Sequence, residues 1–160
     1  MKKLLLVIDM QNAFINNKTK HIFKKINSLF DSNTYDNVIF TRFINSEDSL
    51  WYKKLNYKRC IDEVDNIIPF NTKDHLIMDK KIYSAYNEEL VNFIKENNID
   101  EIYLCGIDTG ACILKTALDL FDSGYNVFVL KDYCASTKGK IFHNMALNII
   151  KRNIGYDNVK

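Results

Sequence analysis

The sequence predicts a three-layer α/β fold, in which helices cover both faces of a mostly parallel, Rossmann-like sheet of five to six strands. Short apolar runs alternate along the chain with segments of helical period, as they do in repeated strand–helix units. Several of these runs are near-continuous in Leu, Val, Ile and Phe, which is typical of strands buried on both faces. No repeat, low-complexity tract or Pro/Gly-rich linker interrupts the pattern, so one domain is expected over residues 1–160.

Each predicted element follows from its own pattern. Strands are expected at the five apolar runs Leu4–Asp9, Asn37–Arg42, His75–Asp79, Glu101–Gly106 and Asn126–Asp132. Helices are expected near Lys20–Phe30, Glu88–Asn97, Ala111–Ser123 and Gly139–Arg152. The segment Ile44–Phe70 resolves into no clear element, although its capping and aromatic residues are compatible with a helix or a lid. Residues 154–159 predict either a sixth, edge strand or a disordered end.

Composition and charge indicate no macromolecular partner. The 160 residues include 22 basic and 20 acidic side chains, a net charge of +2, and these are spread along the chain rather than gathered in a stripe. We therefore expect no binding of nucleic acid. The longest apolar run, Leu4–Ile8, is too short to span a bilayer, and no small-residue cleavage site follows it. We expect no membrane anchor and a cytoplasmic location.

The cysteines and histidines do not have metal-binding spacings. The four cysteines include no CxxC pair, and the chain shows no export signal, so reduced thiols are expected. The three histidines, His21, His75 and His143, are far apart and form no HxxxH pattern. No strand is followed by G-x-G-x-x-G, the fingerprint of dinucleotide binding. We therefore expect no metal and no cofactor.

Three reactive side chains lie at predicted strand ends. Asp9 ends the first strand, Lys80 directly follows the third, and Cys112 follows the fourth through a loop that begins at Gly106. Ligands bind beyond the carboxyl ends of the strands in open parallel sheets. Taken singly, these residues could be a turn cap, a solvated charge and a core thiol. Taken together, they make chemical sense as a base, a cation and a nucleophile.

Cys112 is expected in the first turn of a helix, where free N–H groups and the helix dipole favour a thiolate. A nearby lysine would lower the pKa of the thiol further. A carboxylate would raise that pKa, unless it serves to accept the thiol proton as a general base. Gly106 and Gly110 would allow the preceding loop to turn sharply and to point N–H groups at a developing oxyanion.

Three segments together resemble the isochorismatase-like cysteine hydrolase superfamily, which includes nicotinamidases, carbamoyl-amide hydrolases and isochorismatases. These segments are LLLVIDMQNAF, DKKIYSAY and LCGIDTGACILKTALDLFDSGYNVFVLKDYCAST, and they cover nearly the whole chain in the family's order. The resemblance implies a strand order of 3-2-1-4-5-6 and hydrolysis of a C–N bond in a small amide or carbamoyl compound through a thioester. It also implies self-association into a homo-oligomer.

The resemblance implies specific roles. Asp9 would be the general base and Cys112 the nucleophile. Lys80 would be the third member; Lys81 competes, but Lys80 lies six positions before Tyr86, as the family's pattern requires. The bond between Ile107 and Asp108 would be cis, and the N–H groups of Asp108 and Cys112 would form the oxyanion hole. Phe14, Trp51 and Tyr86 are expected to line the substrate pocket.

The sequence also departs from the family. Ala13 stands where relatives often have a second aspartate in the first motif, so any role of that aspartate is absent. The segment Thr41–Ser49 reads TRFINSEDS and has no histidine, whereas nicotinamidases hold a metal through an Asp-x-His segment and a further histidine there. A metal-assisted nicotinamidase is therefore disfavoured. Isochorismatases proper lack the cysteine, so Cys112 favours attack on an amide or a similar carbonyl.

Two other classes of function remain open at this point. In a thiol redox or sensing protein, Cys112 would cycle with Cys105 or Cys134, and peroxide would produce a reversible disulfide. In a catalytically silent binding module on the same fold, Cys112 would be unreactive toward iodoacetamide at neutral pH.

Overall fold

The sheet has the predicted class and strand order. The computed structural model describes residues 1–30, 34–72 and 75–160. Within these ranges, five strands form one parallel sheet in the order β3-β2-β1-β4-β5. Their bounds are β1 (Lys3–Ile8), β2 (Asn37–Phe43), β3 (Leu76–Lys80), β4 (Glu101–Ile107) and β5 (Val127–Ala135). The strand order reverses between β1 and β4, so the carboxyl ends of these two strands flank the position where parallel sheets bind ligands.

The helices agree with the prediction except around Cys112. They are α1 (His21–Phe30), α2 (Leu50–Leu55), α3 (Glu63–Asn66), α4 (Glu88–Asn97), α5 (Leu114–Asp122) and α6 (Lys140–Ile154). A π-helical turn, Thr109–Ile113, leads directly into α5, so Cys112 lies in this turn rather than in the first turn of a regular helix. None of the helices within the described ranges is long and apolar enough to cross a bilayer.

The core explains the continuous apolar runs. Along β1, Leu4, Leu6 and Ile8 point to one face, which is covered by α4, α5 and α6. Leu5 and Val7 point to the other face, which is covered by α1. All five side chains are fully buried. Because neither face of the strand meets water, the period-two alternation of polar and apolar residues disappears.

The segment that the sequence left unresolved forms α2, α3 and the turns between them. Ser49 begins α2, since its hydroxyl accepts a hydrogen bond from the Tyr52 N–H at 3.1 Å. Gln11 fixes the segment to the sheet: its side-chain oxygen accepts from the Phe43 N–H at 2.8 Å, and its nitrogen donates to Asn66 Oδ1 at 2.9 Å. These contacts join residues far apart in sequence, so local patterns could not predict them.

The end of the chain adds a single bridge rather than a sixth strand. Tyr156–Asn158 form a 3₁₀ turn, and Val159 makes one parallel bridge with Val129 of β5. The Lys160 N–H donates to the Val129 carbonyl at 2.9 Å, and the Lys131 N–H donates to the Lys160 carbonyl at 2.8 Å. The sheet edge is thus covered over a short distance only.

Gly106 on β4 lies so close to the backbone of β1 that a residue with a side chain does not fit there. Its φ is +116°, and an added Cβ would lie 2.1 Å from the Ile8 carbonyl oxygen of the paired strand β1. We predict that Gly106→Ala lowers the free energy of unfolding by about 3 kcal/mol or more, because clash and backbone strain add. Gly124→Ala is the control, since Gly124 has a φ of +83° with nothing within 4 Å. Its cost should be about 1–2 kcal/mol. Urea denaturation compares the two; equal losses would contradict the assigned clash.

Candidate active site

The structure brings Asp9, Lys80 and Cys112 together at the carboxyl edge of the sheet. Lys80 Nζ lies 2.7 Å from Asp9 Oδ2 and 3.5 Å from Cys112 Sγ. Asp9 is fully buried, while Lys80 and Cys112 are 5% and 7% exposed. Lys81, the competing lysine, is exposed. Three groups of different chemistry, predicted from three separate strand ends, therefore share one buried cluster.

Sheet geometry explains why a lysine is needed on β3. Lys80 ends β3 and Asp9 directly follows β1, with β2 between them. Adjacent strands are about 4.8 Å apart, so the side chain on β3 has to extend across roughly 10 Å of sheet. Only a long side chain can place a charge over the end of β1 from that distance. Asp9 itself has a φ of +48°, which turns the chain out of the strand at this point.

Thr41, on the intervening strand β2, orients Asp9. Its hydroxyl donates to Asp9 Oδ1 at 2.7 Å, and its oxygen accepts the Asp9 N–H at 3.2 Å. Thr41 is 1% exposed. The sequence prediction missed this residue, although a polar side chain within the buried run NVIFTR was a usable signal.

Lys80 donates to three acceptors. Besides Asp9 and Cys112, its Nζ donates to the Ile82 carbonyl at 3.0 Å. Burial acts to lower the pKa of Lys80, but the Asp9 carboxylate and the Cys112 sulfur, both of which contact Nζ, outweigh burial and leave that pKa raised. Lys80 is therefore an ammonium at neutral pH, and it neutralises the negative charge that the cluster carries.

The thiol of Cys112 is protonated at rest. Burial raises the pKa of Cys112 well above its ordinary value, and the Asp9 carboxylate raises it further. The Lys80 ammonium lowers this pKa, but the net shift is upward. The expectation that a helix start would favour the thiolate is thus overturned by burial. It follows that slow alkylation by iodoacetamide would not distinguish a silent binding module from an enzyme with this site.

The loop before Cys112 is fixed by the carboxylate of Asp108. The peptide bond between Ile107 and Asp108 is cis. Asp108 Oδ2 accepts from the Thr137 N–H at 2.8 Å, the Thr137 hydroxyl at 2.6 Å and the Ser136 hydroxyl at 3.2 Å. Asp108 Oδ1 accepts from the Gly110 N–H at 3.1 Å. These bonds join the loops that follow β4 and β5. The sequence prediction assigned Asp108 only a main-chain role, because its side-chain partners follow a different strand.

A cavity of about 220 Å³ lies over Cys112. Its walls are aromatic and aliphatic: Phe14, Phe43, Trp51, Leu55, Tyr57 and Tyr83. The more polar side is formed by Asp108, Ala111, Cys112 and Thr137. Both residues proposed for an oxyanion hole, Asp108 and Cys112, thus face the cavity, and two of the three aromatic residues predicted to line it, Phe14 and Trp51, do so.

Tyr86, the third aromatic residue, does not line this cavity. Its ring packs against the core and against Tyr125, with ring centroids 6.1 Å apart. The neighbouring Ala85 N–H donates to Thr116 Oγ1 of α5 at 2.9 Å, which directs this part of the chain toward the helix layer. The placement of Tyr86 is therefore corrected: Tyr57 and Tyr83 supply the tyrosines of the cavity.

The residues that follow β2 do not fit a metal of the nicotinamidase type. Asn45 is buried, and its side-chain nitrogen donates to the carbonyls of Tyr57 and Arg59 at 2.9 and 3.1 Å. The acidic residues of this segment, Glu47 and Asp48, are exposed. Within the described residues, no group of three or more His, Cys, Asp or Glu side chains converges. The donor set of a metal site is thus missing at this place, and the absence of any metal elsewhere stays a prediction.

Comparison with known proteins decides the family. The sequence profile of the Isochorismatase domain matches residues 3–156. The chain belongs to the isochorismatase family. Among curated proteins, Isochorismatase family protein 2A of Dictyostelium discoideum is 40% identical over 67 residues, which cover 41% of this chain and 34% of that protein. The matched segment thus spans about a third of that relative's length.

Three solved structures extend the likeness to the whole fold. An isochorismatase-like hydrolase from Alkaliphilus metalliredigens superposes with a TM-score of 0.86 at 23% identity, over 99% of this chain and 94% of that one. Nicotinamidase/pyrazinamidase PncA from Bacillus subtilis superposes with a TM-score of 0.75 at 26% identity, over 97% of both chains. Yeast nicotinamidase bound to the inhibitor nicotinaldehyde gives a TM-score of 0.84 at 20% identity, over 98% of both chains.

Proposed function

We propose that this protein is a cysteine hydrolase that cleaves the C–N bond of a small, uncharged carboxamide or carbamoyl compound. The observation that carries the proposal is the buried contact of Lys80 with both Asp9 and Cys112 beneath an apolar cavity. Membership of the isochorismatase family supports it, as does the likeness to amide-cleaving relatives such as the nicotinamidase/pyrazinamidase of Bacillus subtilis.

In the first half of the reaction, Asp9 removes the proton of Cys112 while Sγ attacks the carbonyl carbon. A C–S bond forms, and the π electrons of the carbonyl move to its oxygen, which the N–H groups of Asp108 and Cys112 stabilise. When this intermediate collapses, the C–N bond breaks. The leaving nitrogen takes the proton from Asp9 and departs as ammonia or an amine, so a thioester remains.

In the second half, water attacks the thioester. Asp9 takes a proton from the water, and the C–S bond breaks with return of that proton to sulfur. Lys80 stays an ammonium throughout and balances the charge that passes between Asp9 and Cys112. The raised pKa of Cys112 is consistent with this cycle, because the thiol keeps its proton until a carbonyl is present to be attacked.

The cavity limits the substrate. A volume of about 220 Å³ fits a small molecule, and the apolar walls favour an aromatic or branched aliphatic acyl group. Asp108 is the charged residue of the lining, and its carboxylate would repel an anionic substrate. A substrate carboxylate would also be buried without a cationic partner, which is costly.

The redox alternative receives less support from the fold. Cys105 packs in the core on the α1 side of the sheet, whereas Cys112 lies in the core on the opposite side. The sheet therefore separates these two thiols. Cys134 lies on the same side of the sheet as Cys112. A redox protein that cycles through these two thiols would form a Cys112–Cys134 disulfide on peroxide treatment. The expectations of self-association and of a cytoplasmic location stay predictions.

A panel of amides tests the proposal. Ammonia release is measured under reducing conditions from benzamide, nicotinamide, isobutyramide, urea and N-carbamoylglycine. We expect turnover of at least one uncharged carboxamide, with a kcat/KM at least about tenfold above that of N-carbamoylglycine, whose carboxylate the cavity disfavours. Turnover of the anionic compound alone would contradict the substrate class. Absence of ammonia release from a broad set of such amides, together with peroxide-dependent disulfide formation, would favour the redox alternative.

A further inference from the structure

A separate cavity, of about 700 Å³, shares no described lining residue with the cavity over Cys112. It is bounded by the start of α1, by the end of β5 and by α6 from Lys140 to Lys151. We call it the basic cleft, because five lysines line it: Lys18, Lys25, Lys131, Lys140 and Lys151. Its volume lies within the range of sites that hold metabolite-sized ligands.

The charge in this cleft is unlike that of the rest of the chain. Among the described residues that line it, Asp132 is the single carboxylate, against five lysines. The whole chain, by contrast, carries a net charge of only +2. Positive charge is thus concentrated in one concave place, where like charges repel one another and the local field attracts anions.

The lysines of the basic cleft are not neutralised by the protein. In the part of the chain that the structure describes, none of the five forms a salt bridge with a carboxylate. Lys18 Nζ donates to the Lys138 carbonyl at 3.3 Å, and Lys25 Nζ donates to the Asp132 carbonyl at 3.3 Å. Both contacts engage neutral oxygens and leave the cationic charge without a counterion.

Further hydrogen-bonding groups line the same space. The imidazoles of His21 and His143 and the hydroxyl of Ser136 contribute to the lining. His143 Nδ1 lies 2.8 Å from Thr109 Oγ1, and Ser136 donates to Asp108, so the cleft is in contact with the loop before Cys112. The lining therefore combines several cations with the ring nitrogens of two imidazoles, which suits a compact group with several acceptor oxygens.

We propose that the basic cleft binds a small molecule that carries phosphate groups. Phosphate offers the multiple negative charges and the several oxygens that a set of separate ammonium groups can contact. The cations surround a concavity and do not run along a surface stripe, so a metabolite fits better than a nucleic acid. Phosphate binding in the basic cleft does not depend on amide hydrolysis at Cys112, because the two cavities share no described lining residue.

Calorimetric titration tests the proposal. Pyrophosphate and adenosine triphosphate are titrated into the wild-type chain, with adenosine as the uncharged probe. We expect one saturable site for a phosphate-bearing probe, none for adenosine, and weakening with added salt because exposed charges are screened. The double variant Lys131→Gln/Lys140→Gln should weaken this binding at least about tenfold. The same titration with Cys112→Ala should give the wild-type affinity.

A matched control removes the same charge elsewhere. Lys54 and Lys95 are exposed and do not line the cleft, so Lys54→Gln/Lys95→Gln should bind as the wild type does. No saturable binding of either phosphate probe would overturn the proposal, and so would equal weakening in the two double variants. Tighter binding of a short single-stranded oligonucleotide than of pyrophosphate, lost equally in both double variants, would replace it with nucleic-acid binding.

Discussion

Replacing Cys112 with alanine is expected to reduce kcat/KM for the best amide substrate by at least about 10,000-fold, as loss of a nucleophile does in other covalent hydrolases. The substitution removes the one atom that can form the acyl intermediate. Water cannot substitute efficiently, because it is a weaker nucleophile than a thiolate and would have to attack the amide directly, without an acyl intermediate. Ammonia release at saturating and at low substrate concentrations measures the effect.

Cys134→Ala is the matched control for this prediction. Cys134 is also a free, buried cysteine of the same core cluster, and its Sγ lies 4.0 Å from the Leu104 carbonyl oxygen of β4. Both variants lose one buried sulfur, so both should be less stable by about 1 kcal/mol. Only Cys112→Ala should lose activity. If Cys112→Ala kept more than about a hundredth of the wild-type rate, a nucleophilic role would be wrong.

Asp9→Asn is expected to abolish turnover and also to destabilise the fold. The amide cannot accept the thiol proton, so kcat should fall at least about 1,000-fold. The same change leaves the buried ammonium of Lys80 without its carboxylate, which lies at 2.7 Å in the wild type. Breaking a buried ion pair in this way costs about 3–5 kcal/mol. Activity assays and urea denaturation measure the two effects separately.

A second substitution separates catalysis from stability. In Asp9→Asn/Lys80→Met the unpaired charge is gone, and replacing a buried pair by neutral groups is often close to neutral for stability. The double variant should therefore regain most of the lost free energy of unfolding and none of the activity. If restored stability brought activity back, Asp9 would be a structural residue only, and another group would be the base.

The sheet was predictable from the sequence because its strands are buried on both faces. The strand Leu4–Asp9 can be predicted from its own residues alone, because a run of five apolar residues is typical of a strand buried on both faces. Asp9, Lys80 and Cys112 were predictable for a related reason. The carboxyl ends of parallel strands lie along one edge, so residues at three strand ends are close in space whatever lies between them in sequence.

The supporting contacts of the site were not predictable in the same way. Thr41 and the side chain of Asp108 act through partners that follow neighbouring strands, 32 and 29 positions away. The attachment of α3 to the sheet depends on Gln11, which donates to Asn66 of α3 and accepts from Phe43 of β2. Tyr86 was wrongly predicted to line the cavity over Cys112. Its closeness to Lys80 in sequence does not determine on which side of the end of β3 its ring lies.

The protonation state of Cys112 shows how a local rule can be outweighed. The sequence indicates a helix start, where backbone N–H groups favour a thiolate. The structure buries Cys112 beside a carboxylate, and both effects raise the pKa of the thiol. Burial is a property of the whole fold, so a rule based on one helix cannot include it. The resulting neutral thiol is what makes a neighbouring general base necessary.

The proposed hydrolysis requires Cys112 to become acylated during turnover. Intact-protein mass spectrometry after rapid acid quench of the wild-type enzyme, mixed with excess amide substrate, measures this directly. We expect a transient mass increase equal to the acyl group, located on the peptide that contains Cys112 and absent from Cys112→Ala. Steady ammonia release without any such adduct, or the same adduct in Cys112→Ala, would contradict it.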